Sequence, residues 1–272
     1  MKQKVINVAI AVGSIIAYLG IGYAISGYIN PIFTMIGVNL IVYLAFFLMR
    51  KFSKSGTLSP QLGLTGTEVW QFVILFILVF LSGQFTGTYI LNQLSDNLFT
   101  AYQGTMNSVS PIFMMLLVLI FAPLGEESLM RGIVFGRLLP VIGVWSAWIV
   151  QAVLFATMHG TKVHIYGAFA MALFCGLIYF RTHRIGLAML CHCIYNLSSM
   201  YIGGMSVPDV LVSLPGVIIE DILVVAFLIY MMRQTIKLKD LREHPAKMMI
   251  DKAVMIPWNE WKNRNGGVDQ HD

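Results

Sequence analysis

Long runs of apolar residues alternate with short polar loops along most of the chain. A helix that crosses the hydrocarbon core of a membrane needs about 20 apolar residues, because each residue adds about 1.5 Å of length. Eight runs come close to or exceed this length, and each is predicted to form a transmembrane helix. The runs are 5–27, 31–49, 69–91, 110–139, 143–160, 164–181, 185–203 and 213–232.

The pattern predicts helices and not strands. A spanning segment must satisfy its own backbone polar groups, which only helices and closed barrels achieve in lipid. Nothing in the sequence resembles the alternating strands of an outer-membrane barrel. Hydrophobic residues make up 57% of the chain and charged residues 11%, against about 25% charged residues in soluble domains. We therefore predict an all-α polytopic membrane protein of about eight transmembrane helices around a buried polar site.

The formal net charge of +5 at first suggests a nucleic-acid partner. The positions of the basic residues argue against it, because the eight predicted helices place nearly all Lys and Arg on one side of the membrane. The exceptions are Lys162, on the other side, and Arg131, within a run. Basic loops mark the cytoplasmic face and contact anionic lipid. We expect a cell-membrane protein with both termini in the cytoplasm and no nucleic-acid partner.

The composition divides the chain into four predicted parts. The polar tail carries Trp258 and Trp261 as candidate anchors at the membrane interface. The first apolar run is longer than the 7–15 residues usual in a signal peptide, so a retained helix is expected and a cleaved signal is the alternative. The parts are three N-terminal helices in 1–109, a core in 110–205, the last transmembrane helix in 206–232 and a cytoplasmic tail in 233–272.

The fourth run contains the densest cluster of ionisable residues, Glu126, Glu127 and Arg131. Such residues are costly inside a membrane, so each marks a candidate functional site. Glu127 and Arg131 are four residues apart on one helix face and are predicted to form an ion pair. Glu126 lies off that face without a partner in its own helix and is predicted to act as a base. The alternative is an ion pair that only fixes helix register.

Two other runs carry polar residues that belong to the same predicted site. His159 lies at the end of the fifth run, and His192 and Asn196 share a face of the seventh. Taken alone, a terminal His is commonly packed in the core, and an Asn in a membrane commonly joins helices. Six such residues in three runs favour one site. Convergence requires that residues 159–162 enter the bundle or that the fifth helix continues past His159.

Other polar residues are weaker candidates. Glu220 and Asp221 form an acidic pair in the last run, either with a minor functional role or as a first-turn pair favoured by the helix dipole. Cys191 and Cys193 flank His192 but point in nearly opposite directions on a helix. They therefore cannot join that His at one metal ion.

The polar residues form three motifs, in order, on successive hydrophobic segments. This arrangement resembles the signature of the type II CAAX prenyl endopeptidases, part of a broader family, CPBP or Abi, of bacteriocin-processing and immunity proteins. The resemblance covers about a third of the chain, residues 111–201, with Met130 where members often carry Phe. The motifs are Glu126-Glu127-x-x-x-Arg131, Phe155-x-x-x-His159 and His192-x-x-x-Asn196.

The resemblance implies an intramembrane endopeptidase that hydrolyses a peptide bond near the C-terminus of a membrane-associated protein or peptide. In eukaryotic relatives the substrate is a prenylated CAAX protein. By the same resemblance, Glu126 and His159 orient and deprotonate a water molecule, and His192 and Asn196 donate hydrogen bonds to the oxyanion. The ion-paired glutamate and arginine of the first motif hold the geometry.

The expected partners are a peptide or protein substrate, with or without a lipid group, and membrane lipid. We expect neither a cofactor nor a metal ion. A zinc ion held by Glu126, His159 and His192 is the alternative, although the sequence has no His-Glu-x-x-His segment. The competing class of function is a non-enzymatic membrane protein, such as an immunity factor, a scaffold or a small transporter.

Overall fold

The structure, a computed structural model, describes residues 2–52, 63–93, 97–202 and 208–243. Every regular element within these four ranges is a helix, which confirms the predicted fold class. The helices are α1 (Lys2–Ser26), α2 (Pro31–Phe52), α3 (Gly66–Gln93), α4 (Asn97–Met106), α5 (Pro111–Ile142), α6 (Val144–Thr157), α7 (Lys162–Thr182), α8 (Ile185–Ile202) and α9 (Leu214–Glu243).

Each predicted transmembrane run overlaps one of these helices. Helices α1, α2, α3, α5, α7 and α9 are long and apolar enough to cross a membrane, whereas α6 and α8 are shorter apolar helices. Helix α6 has 14 residues and is therefore about 21 Å long, less than the thickness of a hydrocarbon core. The pattern did not predict the ten-residue helix α4.

The chain divides into two compact units, Met1–Leu228 and Ile229–Asp272. The first unit contains α1 to α8, residues 214–228 of α9 and all six residues of the predicted site. The second begins with the rest of α9, which continues past the predicted end of the last run at residue 232. The tail after Glu243, with Trp258 and Trp261, lies outside the described residues.

Helix α7 forms the core of the first unit. Helices α3 and α6 pack extensively along it, and every residue from 170 to 182 is buried. Helix α5 lies beside it and is contacted by α1, α2, α6, α7 and α8. Large apolar side chains are exposed along α1 and α2, as expected for helices that face lipid. The helices that carry the three motifs, with His159 just after the end of α6, therefore pack in one bundle.

Local signals in the sequence explain where the helices around the site begin and end. Ser110 caps α5 by accepting a hydrogen bond from the backbone N–H of Ile112, and Thr161 caps α7 in the same way. Gly143, between α5 and α6, and Gly160, between α6 and α7, have positive φ angles of 79° and 71°. Glycine tolerates this left-handed conformation without strain, so both positions allow a sharp turn.

Candidate active site

Helix α5 presents its two glutamates from a short α-helical stretch between two wider π-helical segments. The π-helical segments are Leu117–Phe121 and Ser128–Phe135, and Ala122–Glu127 lies between them. Such segments are rare and occur frequently at functional sites. Each wide turn accommodates an additional residue, and the two segments together determine the direction in which Glu126 and Glu127 point.

Two glycines bring α2 close to this part of α5. A Cβ atom added to Gly125 would lie 2.5 Å from Cα of Asn39, and one added to Gly132 would lie 2.4 Å from the Phe46 ring. Neither position can carry a larger residue without a shift of α2. The backbone beside Glu126 is therefore covered by a helix from the N-terminal part of the chain.

The predicted ion pair within the first motif is present. Nη1 of Arg131 lies 3.0 Å from Oε1 of Glu127, and both side chains are completely buried. The same carboxylate oxygen lies 2.9 Å from Nδ1 of His192 on α8. Because a carboxylate oxygen accepts, Nδ1 of His192 carries the hydrogen of this contact. Glu127 therefore joins the first and third motifs and leaves Nε2 of His192 directed elsewhere.

Glu126 lies on the other side of the same imidazole. Its Oε2 atom is 3.8 Å from Nε2 of His192, too far for a direct hydrogen bond but close enough for one water molecule to bond to both. Glu126 is buried, with 9% of the residue's surface exposed. The two adjacent glutamates thus contact the two nitrogens of one histidine. We name Glu126, Glu127, Arg131 and His192 the carboxylate–imidazole cluster.

His159 follows the end of α6 and folds back against that helix. Its Nδ1 atom lies 2.9 Å from the carbonyl oxygen of Phe155, so Nδ1 carries the hydrogen and Nε2 of the neutral ring is an acceptor. The Phe155 ring packs against both histidines, with centroid distances of 4.7 Å to His159 and 5.9 Å to His192. Because α6 ends at Thr157, the alternative in which it continues past His159 is wrong. His159 is half-buried in the turn that follows, and the Phe155 ring links it to the carboxylate–imidazole cluster through His192.

Asn196 has a specific partner on α5. Its amide nitrogen donates a hydrogen bond of 2.9 Å to the carbonyl oxygen of Val118. In the π-helical register this carbonyl would accept from residue 123, which is a proline without an N–H. Asn196 thus satisfies a carbonyl that the proline leaves without a partner. The contact joins α8 to α5, as in the structural alternative, and it uses one of the two amide hydrogens.

A comparison with protein families identifies the segment of the chain that contains these residues. The model of the family described as type II CAAX prenyl endopeptidase Rce1-like matches residues 108–198. We name residues 108–198, which are similar to this family, the Rce1-like domain. The match contains all three motifs and confirms the resemblance expected from the sequence. No match was found among curated proteins or among solved structures.

Within the Rce1-like domain, Arg131 also contacts α7, which carries none of the three motifs. Nη2 of Arg131 donates a hydrogen bond of 3.2 Å to the carbonyl oxygen of Ala172, and the guanidinium carbon lies 5.0 Å from the centre of the Phe155 ring. Gln151 donates to the same carbonyl at 3.0 Å. Backbone carbonyls carry no sequence signal, so the pattern could not predict this contact.

A second polar cluster includes residues on both sides of the Rce1-like domain. Oδ1 of Asp221 accepts from Ser82 at 2.8 Å and from the Tyr166 hydroxyl, and Thr86 lies 3.4 Å from it. We name these four residues the hydroxyl cluster. Glu220 and Asp221 lie beyond the first turn of α9, which begins at Leu214, so the first-turn interpretation of this pair is wrong.

The zinc alternative requires three ligands around one point. Among the residues that the structure describes, no three His, Cys, Asp or Glu side chains are grouped closely enough to hold a metal ion. We therefore derive no step of the chemistry through a metal.

Proposed function

We propose that this chain is an intramembrane endopeptidase that hydrolyses a peptide bond near the C-terminus of a membrane-associated protein or peptide. The observation that carries the proposal is the contact of Glu126 and Glu127 with the two nitrogens of His192, within a domain that matches the Rce1-like family. In this proposal the protein resides in the cell membrane with both termini in the cytoplasm. The substrate is a protein or peptide held at the membrane by a lipid group or by its own apolar segment.

Hydrolysis of an amide requires an activated water molecule and a proton for the leaving amine. We assign the water to the space between Glu126 and the histidines, where it can bond to Oε2 of Glu126 and to an imidazole. Nε2 of His159 is free to accept because its Nδ1 hydrogen is donated to a carbonyl. Glu126 takes the proton from the attacking water and transfers it to the nitrogen of the cleaved bond.

The tetrahedral intermediate also requires hydrogen-bond donors for its oxyanion. His192 and Asn196 lie four residues apart on one face of α8. His192 donates from Nε2 when both ring nitrogens carry a hydrogen, while its Nδ1 hydrogen is donated to the Glu127 carboxylate. Asn196 donates with the amide hydrogen that is not bonded to Val118. Glu127 and Arg131 contact no reacting atom in this scheme and position His192.

The test is comparative mass spectrometry of membrane peptides from cells that express the wild-type protein or Glu126→Gln. Glu220→Gln is the matched control, because it makes the same change on another membrane helix outside the site. We expect cleaved C-terminal fragments with wild type and Glu220→Gln and none with Glu126→Gln. Identical peptide sets in all three would contradict the proposal and favour an immunity or scaffold function.

Metal dependence has its own test on purified protein. We propose catalysis without a metal ion, so cleavage of a peptide identified above should persist in a strong chelator. Loss of cleavage that added zinc restores would overturn this part of the proposal and leave the peptidase assignment intact.

A further inference from the structure

Gln151 is a completely buried polar residue that belongs to none of the three motifs. It precedes Phe155 by four residues and therefore lies on the same face of α6. His159 follows four residues after Phe155, in the turn at the C-terminal end of this helix. A buried amide in an apolar helix is costly unless it has hydrogen-bond partners. Its contacts therefore indicate what the residue does.

The amide of Gln151 meets the guanidinium of Arg131 at a single carbonyl oxygen. Nε2 of Gln151 donates to the carbonyl of Ala172 at 3.0 Å and to that of Trp148 at 3.0 Å. Nη2 of Arg131 donates to the same Ala172 oxygen at 3.2 Å. Helix α7 therefore presents one acceptor on which the side chains of α5 and α6 converge.

The orientation of the Gln151 amide is determined by these two acceptors. Only the NH₂ group can donate to carbonyl oxygens, so Nε2 faces Trp148 and Ala172, and Oε1 points away from them. Oε1 is buried without a hydrogen-bond partner, and so is Nε of Arg131. Gly176 leaves the space for the amide, because a Cβ at that position would lie 2.8 Å from Nε2.

We propose that Gln151 is a positioning residue for the peptidase site. Its hydrogen bond fixes the position of the Ala172 carbonyl, which in turn binds the Arg131 guanidinium. Arg131 orients the Glu127 carboxylate, which accepts the Nδ1 hydrogen of His192. The contacts that form this path are 3.0 Å, 3.2 Å, 3.0 Å and 2.9 Å long. This inference rests on the proposed function, and it assigns Gln151 no contact with the substrate.

The kinetic test uses full-length protein in membranes with a peptide that wild type cleaves. Gln151→Met keeps the length of the side chain and removes the amide. We expect kcat to fall about tenfold to a hundredfold, because small displacements of catalytic groups are costly, while KM stays within about twofold. Gln84→Met is the matched control, since Gln84 makes a comparable hydrogen bond of 3.1 Å to Ser199 between α3 and α8. An equal effect of both variants, or a change in KM alone, would overturn the proposal.

A double variant tests the path through Arg131. If Gln151 acts through the guanidinium, Gln151→Met should cause little further loss in an Arg131→Lys background, because coupled residues are not additive. Full additivity would show that Gln151 acts independently of Arg131.

Spectroscopy separates this inference from the proposed function, because it requires no cleavage. In protein labelled with ¹⁵N-histidine, the Nδ1 proton of His192, identified by its loss in His192→Gln, reports its hydrogen bond to Glu127. We expect this signal to move in Gln151→Met and to stay unchanged in Gln84→Met. An unchanged signal in Gln151→Met would overturn the positioning role even if cleavage is observed, and a moved signal would support it even if no substrate is found.

Discussion

The carboxylate–imidazole cluster and the hydroxyl cluster are both built around carboxylates on membrane helices, but their partners differ. In the carboxylate–imidazole cluster, Glu126 and Glu127 contact an imidazole, which can gain or lose a proton, and Glu127 also contacts a positively charged guanidinium. In the hydroxyl cluster, Asp221 accepts hydrogen bonds from neutral side chains on two other helices. Oδ1 of Asp221 accepts hydrogen bonds from both Ser82 and Tyr166.

The second difference concerns polar atoms without partners. Oε2 of Glu127, Oγ of Ser128, Nε of Arg131 and Oε1 of Gln151 are buried without hydrogen bonds in and around the first cluster. No buried side-chain oxygen of the four residues in the hydroxyl cluster is in this state, although Oε2 of Glu220, next to Asp221, is. Saturated hydrogen bonding stabilises a bundle, whereas unsatisfied buried groups are costly and are retained where chemistry uses them. Buried charge alone therefore does not distinguish a catalytic site from a helix contact.

Exchanging a carboxylate for an amide in each cluster should give the largest contrast. Glu126→Gln removes the base and should lower kcat about a thousandfold, whereas Asp221→Asn retains an acceptor for the hydroxyls and should change kcat by no more than about threefold. Initial rates on one peptide measure both. Similar losses for the two variants would mean that both clusters serve catalysis.

Removing the central carboxylate of each cluster should affect stability unequally. Glu127→Leu leaves the completely buried Arg131 without its ion-pair partner and should lower the free energy of unfolding by about 3 kcal/mol or more. Asp221→Leu leaves only neutral hydroxyls, two of which already lie 2.7 Å apart, and should cost about 1 kcal/mol. Unfolding in detergent mixtures measures both free energies. A larger loss of stability for Asp221→Leu than for Glu127→Leu would contradict the view that the buried charge of Arg131 depends on Glu127.

Asn196 should show a role in both catalysis and helix packing. Asn196→Leu removes the proposed oxyanion donor and should lower kcat about a hundredfold, with an additional loss of about 1 kcal/mol in stability from the bond to Val118. Asn196→Asp is the control, since it retains the size and loses the donors. If stability falls and kcat does not, Asn196 only joins α8 to α5.

The smallest effect is expected from Tyr166→Phe. This variant removes one donor from the hydroxyl cluster, and hydrogen bonds between membrane helices contribute about 0.6 kcal/mol on average. Thermal unfolding should show a small decrease with unchanged kcat. A loss of activity above about tenfold would connect the hydroxyl cluster to the active site.

The sequence predicted the parts of the site that depend on spacing within one helix. The ion pair of Glu127 and Arg131 follows from a separation of four residues, and the apolar runs located the helices that carry all three motifs. The resemblance to a family indicates that the three motifs form one site. These features are local in the chain or are shared by a family, so a single sequence contains them.

Contacts that depend on tertiary packing were not predictable. The sequence identified Asp221 as a candidate, but Ser82 and Tyr166 are 139 and 55 residues away and are neutral residues without a distinctive pattern. The bond from Asn196 to Val118 requires the π-helical register of α5, which periodicity does not reveal. The role of Gln151 depends on a backbone carbonyl of another helix.

The π-helical segments of α5 also constrain how this region of the chain can vary. Each residue advances an α-helix by about 100°, so inserting or deleting one residue at Leu117–Phe121 would turn Glu126 and Glu127 together away from His192 unless the wide turn absorbed the change. A π-helical turn contains one residue more than a regular α-helical turn. A deletion of one residue before the glutamates can therefore be absorbed when this turn becomes a regular α-helical turn, whereas an insertion cannot.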